Sequence, residues 1–133
     1  MERLTERLAE ADRALVSLME LLALPRHSVV ERDAAILRFA YTFEAMWKTA
    51  QRHLAEREGV EAGSPKQCIR LSRTTGLLTD EEAEAALRMA DDRNLVVHIY
   101  REALAQQIFA RLPNHAGVLR AWLEGMRRTL GKA

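Results

Sequence analysis

Residues 28–54 read SVVERDAAILRFAYTFEAMWKTAQRHL, and the fold class follows from this stretch. Ser28 followed three residues later by Glu31 is a reciprocal capping pair, in which hydroxyl and carboxylate each satisfy a backbone N–H left open by a first helical turn. Behind the cap, Ile36, Ala40, Phe43, Trp47, Ala50 and Leu54 recur at spacings of four and three, one apolar stripe along a helix. No proline or glycine interrupts residues 26–58, so the helix is long.

The same punctuation organises the rest of the chain. Upstream, Leu4, Leu8, Ala11, Leu15, Leu18 and Leu22 form a second stripe, which Pro25 ends. Downstream, Gly59 and Gly63 open a loop. Ser64, Pro65 and Gln67 then start a short helix to about Thr75, with proline at the first helical position, and Gly76 stops it. Thr79 with Glu82 is another capping pair, and Asp80, Glu81 and Glu82 put negative charge at the positive end of the helix dipole. This helix runs into Leu95 to Tyr100, whose β-branched and aromatic residues predict a distortion or break. A further helix is expected over Arg101 to Arg111, which Pro113 separates or kinks from a last one over Gly117 to Leu130. Stripes on helices joined by short loops are buried only against each other. The expected fold is all-α, an up-and-down antiparallel bundle of four to six helices in a single domain over residues 1–133.

Of 133 residues, 48% are hydrophobic, and 20 basic side chains face 19 acidic ones, for a net charge of +1. One domain of this size buries a real core, and the overall charge gives no reason to expect a polyanion or membrane partner. Seventeen of the cations are arginine, a residue whose planar fork suits phosphate, although genome composition explains the excess equally well. The single cysteine, Cys68, excludes an intrachain disulfide and a multi-cysteine zinc site, which suits the reducing cytosol. The charged start, MERLTER, lacks the apolar core of a signal peptide, and no apolar run approaches membrane-spanning length, so a cytoplasmic protein without a membrane association is expected.

Residues 91–100, Asp-Asp-Arg-Asn-Leu-Val-Val-His-Ile-Tyr, are the most unusual window. On a helix Asn94 and His98 share a face, so the amide is placed to orient the imidazole. Arg93 and His98 lie about 140° apart on an undistorted helix. Joint action needs a local break, the reach of arginine, or a second copy across a dimer interface. Charge also changes sign here: residues 79–92 hold six acids and one base, whereas 93–133 hold seven bases and two acids, leaving a positive surface for phosphate beyond the break. Arg88, four residues before Asp92, is placed to pair with it.

Other candidates have plainer readings. His27, His53 and His115 lack the pairing of a helical metal site and are expected at the surface or in caps; neither a metal nor a cofactor is expected. Glu44 and Lys48 form an i, i+4 ion pair, read as a surface pair in preference to a partly buried contact near the 91–100 window. Phe39, Phe43, Met46 and Trp47 read as core or dimer seam rather than a base-stacking platform. Lys66, Arg70 and Arg73 line one face of the short helix, as a solvated face or a secondary phosphate contact. Cys68 reads as a small buried residue.

Arg93-Asn94, three residues, His98, one residue and Tyr100 resemble the signature of HEPN domains, in the branch described as nucleotidyltransferase substrate-binding proteins. Arg32-Asp33 and ILRFAYTFEAMWK over Ile36 to Lys48 resemble that branch's second helix, and Ser64-Pro65 with Gly76-Leu77-Leu78 resemble its middle. The resemblance covers about residues 30–112. Ala40 departs from it, since the family often carries an acidic residue beside the position of Phe39. What the resemblance implies is a helical bundle, usually a homodimer, encoded with a minimal nucleotidyltransferase partner in a two-component, toxin–antitoxin-like system, with RNA or a nucleotide as ligand. In the implied metal-independent ribonuclease, His98 assists proton transfer at the ribose 2′-OH, Arg93 stabilises the developing phosphorane charge and Asn94 positions His98. Tyr100 occupies the position that the partner nucleotidylates, and Asp92, Glu44 and Lys48 are supporting candidates. Two alternatives stand beside it: a non-catalytic subunit that binds nucleotide or other substrate for a heteromeric nucleotidyltransferase, and a structural dimerisation module.

Overall fold

The computed structural model describes residues 2–131, apart from the Glu2 side chain. Its elements are five helices, α1 (Glu2–Leu22), α2 (Val29–His53), α3 (Pro65–Thr74), α4 (Asp80–Leu95) and α5 (Glu102–Leu130), and there is no strand among the described residues. A π-helical turn, Leu54–Glu58, prolongs α2, and a 3-10 turn, Val96–His98, follows α4.

The helix starts are those the sequence predicts. Ser28 with Glu31 and Thr79 with Glu82 form complete capping boxes, and the Ser64 hydroxyl accepts from the Gln67 amide ahead of Pro65. Replacing such a cap costs about 1 kcal/mol. His27 closes the far end of α1 through a 2.7 Å contact between Nε2 and the Leu21 carbonyl, the capping role expected for it.

Contacts at both ends of the molecule fix the direction of each helix. Arg38 Nη1 donates to the Ser17 carbonyl and Thr49 Oγ1 to that of Arg7, so α1 and α2 are antiparallel. Arg32 pairs with Glu102 at one end and Arg57 donates to the Thr129 carbonyl at the other, so α2 and α5 run the same way. Asp92 meets Arg111 near the end of α4 and Leu77 meets Gly125 before its start, so α4 opposes α5. The four long helices therefore alternate up and down. Short α3 is the exception: the loop 59–64 doubles back beside α2, where Gln51 Nε2 donates to the Ala62 carbonyl, and α3 then descends alongside it.

The buried apolar residues form one continuous cluster, with Trp122, Phe39 and Phe43 its largest fully buried side chains. Trp122 donates its indole N–H to Ser72 Oγ at 2.9 Å, so the one polar atom of this ring is satisfied. Gly125 shows how close the packing is: a Cβ there would lie 2.2 Å from the Leu77 carbonyl oxygen. Only glycine lets α5 approach the 76–78 turn this closely.

Proline did not divide the last helix. α5 is continuous through Pro113, contrary to the two segments expected at Arg101–Arg111 and Gly117–Leu130. Pro113 is exposed while Leu112, His115 and Ala116 are buried, so the missing N–H falls on the solvent side and core packing holds the helix together. The break between α4 and α5 occurs where expected, in the β-branched stretch.

Candidate functional site

α4 separates two polar groups that begin at adjacent residues. A step of about 100° from Asp92 to Arg93 aims them at different neighbours, Asp92 toward α5 and Arg93 toward α2.

On the α2 side, the Arg93 guanidinium forms an ion pair with Glu44, and Glu44 also meets Lys48 at 3.6 Å. Arg93 lies 6.0 Å from the centre of the Phe43 ring, and its Nη1 is 3.4 Å from Asn94 Oδ1. Phe43, Ser64, Pro65, Lys66, Ala90, Arg93 and Asn94 line an open recess of about 350 Å³. Its floor is the aromatic core of α2, its cations come from α3 and α4, and all three charged partners of the Arg93 network remain partly exposed. Such a recess can bind an anion on guanidinium and ammonium groups, with the buried Phe43 ring lying beneath the guanidinium. Lys66 also pairs with Asp91 at 2.6 Å and Arg73 with Asp80 at 3.4 Å, so two of the three cations of the α3 stripe are tied to α4 carboxylates.

The expected surface pair Glu44–Lys48 is thus part of the network around Arg93, the less favoured of the two readings of that pair. Asn94 contacts Arg93 and not His98. The 3-10 turn explains this, because it removes the α-helical spacing that would have put residues 94 and 98 on one face. His98 lies instead beside Tyr100, its Nδ1 3.5 Å from the phenolic oxygen and the ring centres 6.0 Å apart. Both are exposed, Tyr100 by 80%. Among the described residues, no hydrogen bond or ion pair joins Arg93 to His98; Arg93 faces α2, and the pairing needed for joint action is not made within one chain.

On the α5 side, Asp92 accepts from Arg111 Nε at 2.7 Å and Nη2 at 2.8 Å, and lies 2.7 Å from His115 Nε2. The expected Arg88–Asp92 pair does not form; Asp92 turns inward and Arg88 lies on the rim of a separate recess of about 340 Å³. Asp92 therefore does not support the Arg93 recess. Burial by itself raises the Asp92 carboxyl, but the hydrogen bonds from Arg111 and then His115 outweigh it and hold the group below the usual carboxylate range. Burial dominates at His115, which is held below the ordinary imidazole value despite its acidic neighbour. A neutral ring stacked on Phe39, 5.2 Å between centres, thus donates Nε2–H to Asp92. The α4–α5 contact is a structural brace of charge-assisted bonds.

His53 and His115 are buried, neither at the surface nor bonded to a helix end, the two placements expected of them. Both ring nitrogens of His53 lack a partner, and burial again pushes its pKa down. Neither burial was visible in sequence, because the relevant neighbours, Asp92 and Phe39 for His115, are distant along the chain. Cys68 is buried as expected, and burial pushes its thiol up to about 11. Among the described residues, no group of three or more His, Cys, Asp or Glu side chains is placed to hold a metal ion, and no helix is long and apolar enough to cross a membrane.

A crystal structure of a protein from Thermus thermophilus is 56% identical to this chain, with a TM-score of 0.85 over 88% of this chain and 98% of that one. A second solved structure, from Haemophilus influenzae, is 21% identical with a TM-score of 0.73 over 90% and 98% of the two chains. It is described as revealing the fold of a substrate binding domain of a nucleotidyltransferase, and at this identity the likeness concerns the fold. No curated protein matches. Residues 6–128 match the family described as nucleotidyltransferase substrate binding protein like. With nearly its whole length covered, the chain belongs to that family.

Proposed function

We propose that this protein is the substrate-binding subunit of a heteromeric nucleotidyltransferase, holding an anionic substrate in the Arg93 recess while a separate nucleotidyltransferase chain supplies the transfer chemistry. The observation that carries the reading is the convergence of Arg93, Lys66 and Asn94 on an open recess floored by Phe43. Arg93 offers paired N–H donors to a phosphate or carboxylate. The Glu44 carboxylate occupies that guanidinium in the absence of a ligand. The family and the fold of the Haemophilus relative support a nucleotidyltransferase partner.

Tagged protein purified from its own cells, with associated chains identified by mass spectrometry, tests this reading. A nucleotidyltransferase chain is expected, and Arg93→Ala is expected to retain that chain while transfer to substrate falls at least tenfold, about 1.4 kcal/mol of lost binding. Transfer that is indifferent to Arg93 would reject the recess as the substrate site.

A second reading is favoured by the exposure of Tyr100 beside His98. In it the 91–100 window is a HEPN motif and Tyr100 is itself the acceptor: its phenolic oxygen bonds to the α-phosphate of a nucleoside triphosphate, pyrophosphate leaves, and the phenolic proton passes to solvent. Ribonuclease action in this reading requires a second copy, so that His98 of one chain meets Arg93 of the other. Incubation with the partner and ATP distinguishes the readings, since an added nucleotide mass that disappears in Tyr100→Phe belongs only to the second.

A further inference from the structure

We propose that a second recess beside α2, lined by Arg7, Lys48 and Arg52, continues the Arg93 groove into a track for linked phosphates, and that Glu44 holds the place of one phosphate on it. The proposal rests on the reading of the Arg93 recess as a ligand site and specifies the ligand: a polyphosphate chain, not a single phosphate.

This recess is the larger one, about 710 Å³, and lies between α1, the end of α2 and the loop 61–63. Lys48 lines it and also pairs with Glu44, the residue that holds Arg93. Gly63 borders this recess and Ser64 the Arg93 recess, so one loop walls both. The Gln51 amide, donating to the Ala62 carbonyl at 2.7 Å, holds that wall in place.

Two cations flanked by two acids lie along this side of α2 and the turn that prolongs it. Glu44, Lys48, Arg52 and Glu56 follow one another at four-residue intervals, each step about 6 Å along the axis. Glu44 binds Arg93 and Lys48, and Arg52 meets Glu56 at 2.6 Å. Arg7 lines the same recess and brings a further cation from α1. Glu56, already paired with Arg52, and Glu61 on the loop are the acidic lining groups. A single phosphate is too small to reach both Arg93, held at the level of Glu44, and Arg52, about 12 Å further along the axis, whereas linked phosphates can touch Arg93, Lys48 and Arg52 in succession. A phosphate also presents more charge and more acceptor oxygens to a guanidinium than a carboxylate does, so it displaces Glu44 from Arg93 and Lys48 without having to assemble those cations itself.

Isothermal titration of the full chain with inorganic phosphate and with tripolyphosphate, at matched ionic strength, tests the track. Tripolyphosphate is expected to bind at least about tenfold more tightly than phosphate, with Arg7→Ala and Arg52→Ala each removing most of that advantage and leaving phosphate binding unchanged. Glu44→Gln keeps the side-chain shape and frees both cations, and it is expected to tighten both ligands about threefold or more; Glu44→Ala should act in the same direction. Equal affinity for the two ligands, or binding that weakens or stays the same in the Glu44 variants, overturns the proposal. Length-independent binding that still requires Arg93 would remove the track and leave the Arg93 recess standing; binding indifferent to Arg93 would remove the recess as well.

Discussion

Asp92 and Arg93 are neighbours in sequence and opposites in use. Asp92 is buried, bonded on both oxygens and committed to α5, whereas Arg93 is part-exposed, shares one carboxylate with Lys48 and opens onto a recess. A charged side chain on this bundle acts as a brace when it is itself buried, as Asp92 is even with a half-exposed partner in Arg111, and is available to a ligand when it stays partly in solvent, as Arg93 does.

Stability measurements sharpen the contrast. Asp92→Ala leaves His115 buried without its acceptor and strips Arg111 of its partner; urea unfolding is expected to show a loss of about 3 kcal/mol. Gly125→Ala forces α5 away from the Leu77 carbonyl and should cost about 2 kcal/mol in the same assay, although it touches neither polar group. Arg93→Ala is expected to cost under about 1 kcal/mol, since its ion pair is partly exposed. A loss from Arg93→Ala as large as that from Asp92→Ala would erase the distinction.

Acid supplies a subtler separation. His53 and His115 have folded-state values below the ordinary imidazole value, so below about pH 6.5 the unfolded chain takes up more protons and stability declines. Asp92 is held below its usual range, so its contribution, complete above about pH 4, is lost only as pH falls through the folded value. Denaturation midpoints against pH should therefore fall in two stages, and His53→Leu should flatten the upper stage without altering the lower. A midpoint unchanged between pH 7 and 5 would contradict the burial of these imidazoles as neutral groups.

Much of the fold is legible because local signals and tertiary packing agree: the boxes at Ser28 and Thr79, the proline at 65 and the glycine at 76 appear at their expected positions, and Leu4 to Leu18 of the α1 stripe are buried, whereas in α2 the buried face takes in Phe39 and Met46 and leaves Ala40 and Trp47 of the stripe only partly buried. Pro113 does not break α5 because it lies on the side that faces water, which no local pattern shows. Within the site, Arg93 stands out by residue type while Glu44 and Lys48 read by spacing as a surface pair; their meeting depends on α4 crossing α2, which no local pattern encodes. The brace was missed for the same reason: Arg111 and His115 lie 19 and 23 residues beyond Asp92. The position of His98 departs from ideal α-helical geometry because Val96–His98 form a 3-10 turn.

The central claim is that an anionic substrate binds on the Arg93 side of α4. Its most direct test is NMR titration with tripolyphosphate, following the arginine Nε–Hε signals. The Arg93 signal is expected to shift with saturation while that of Arg111, already fixed on Asp92, stays in place; a shift confined to Arg111, or an Arg93 signal unmoved at ligand excess, would contradict it.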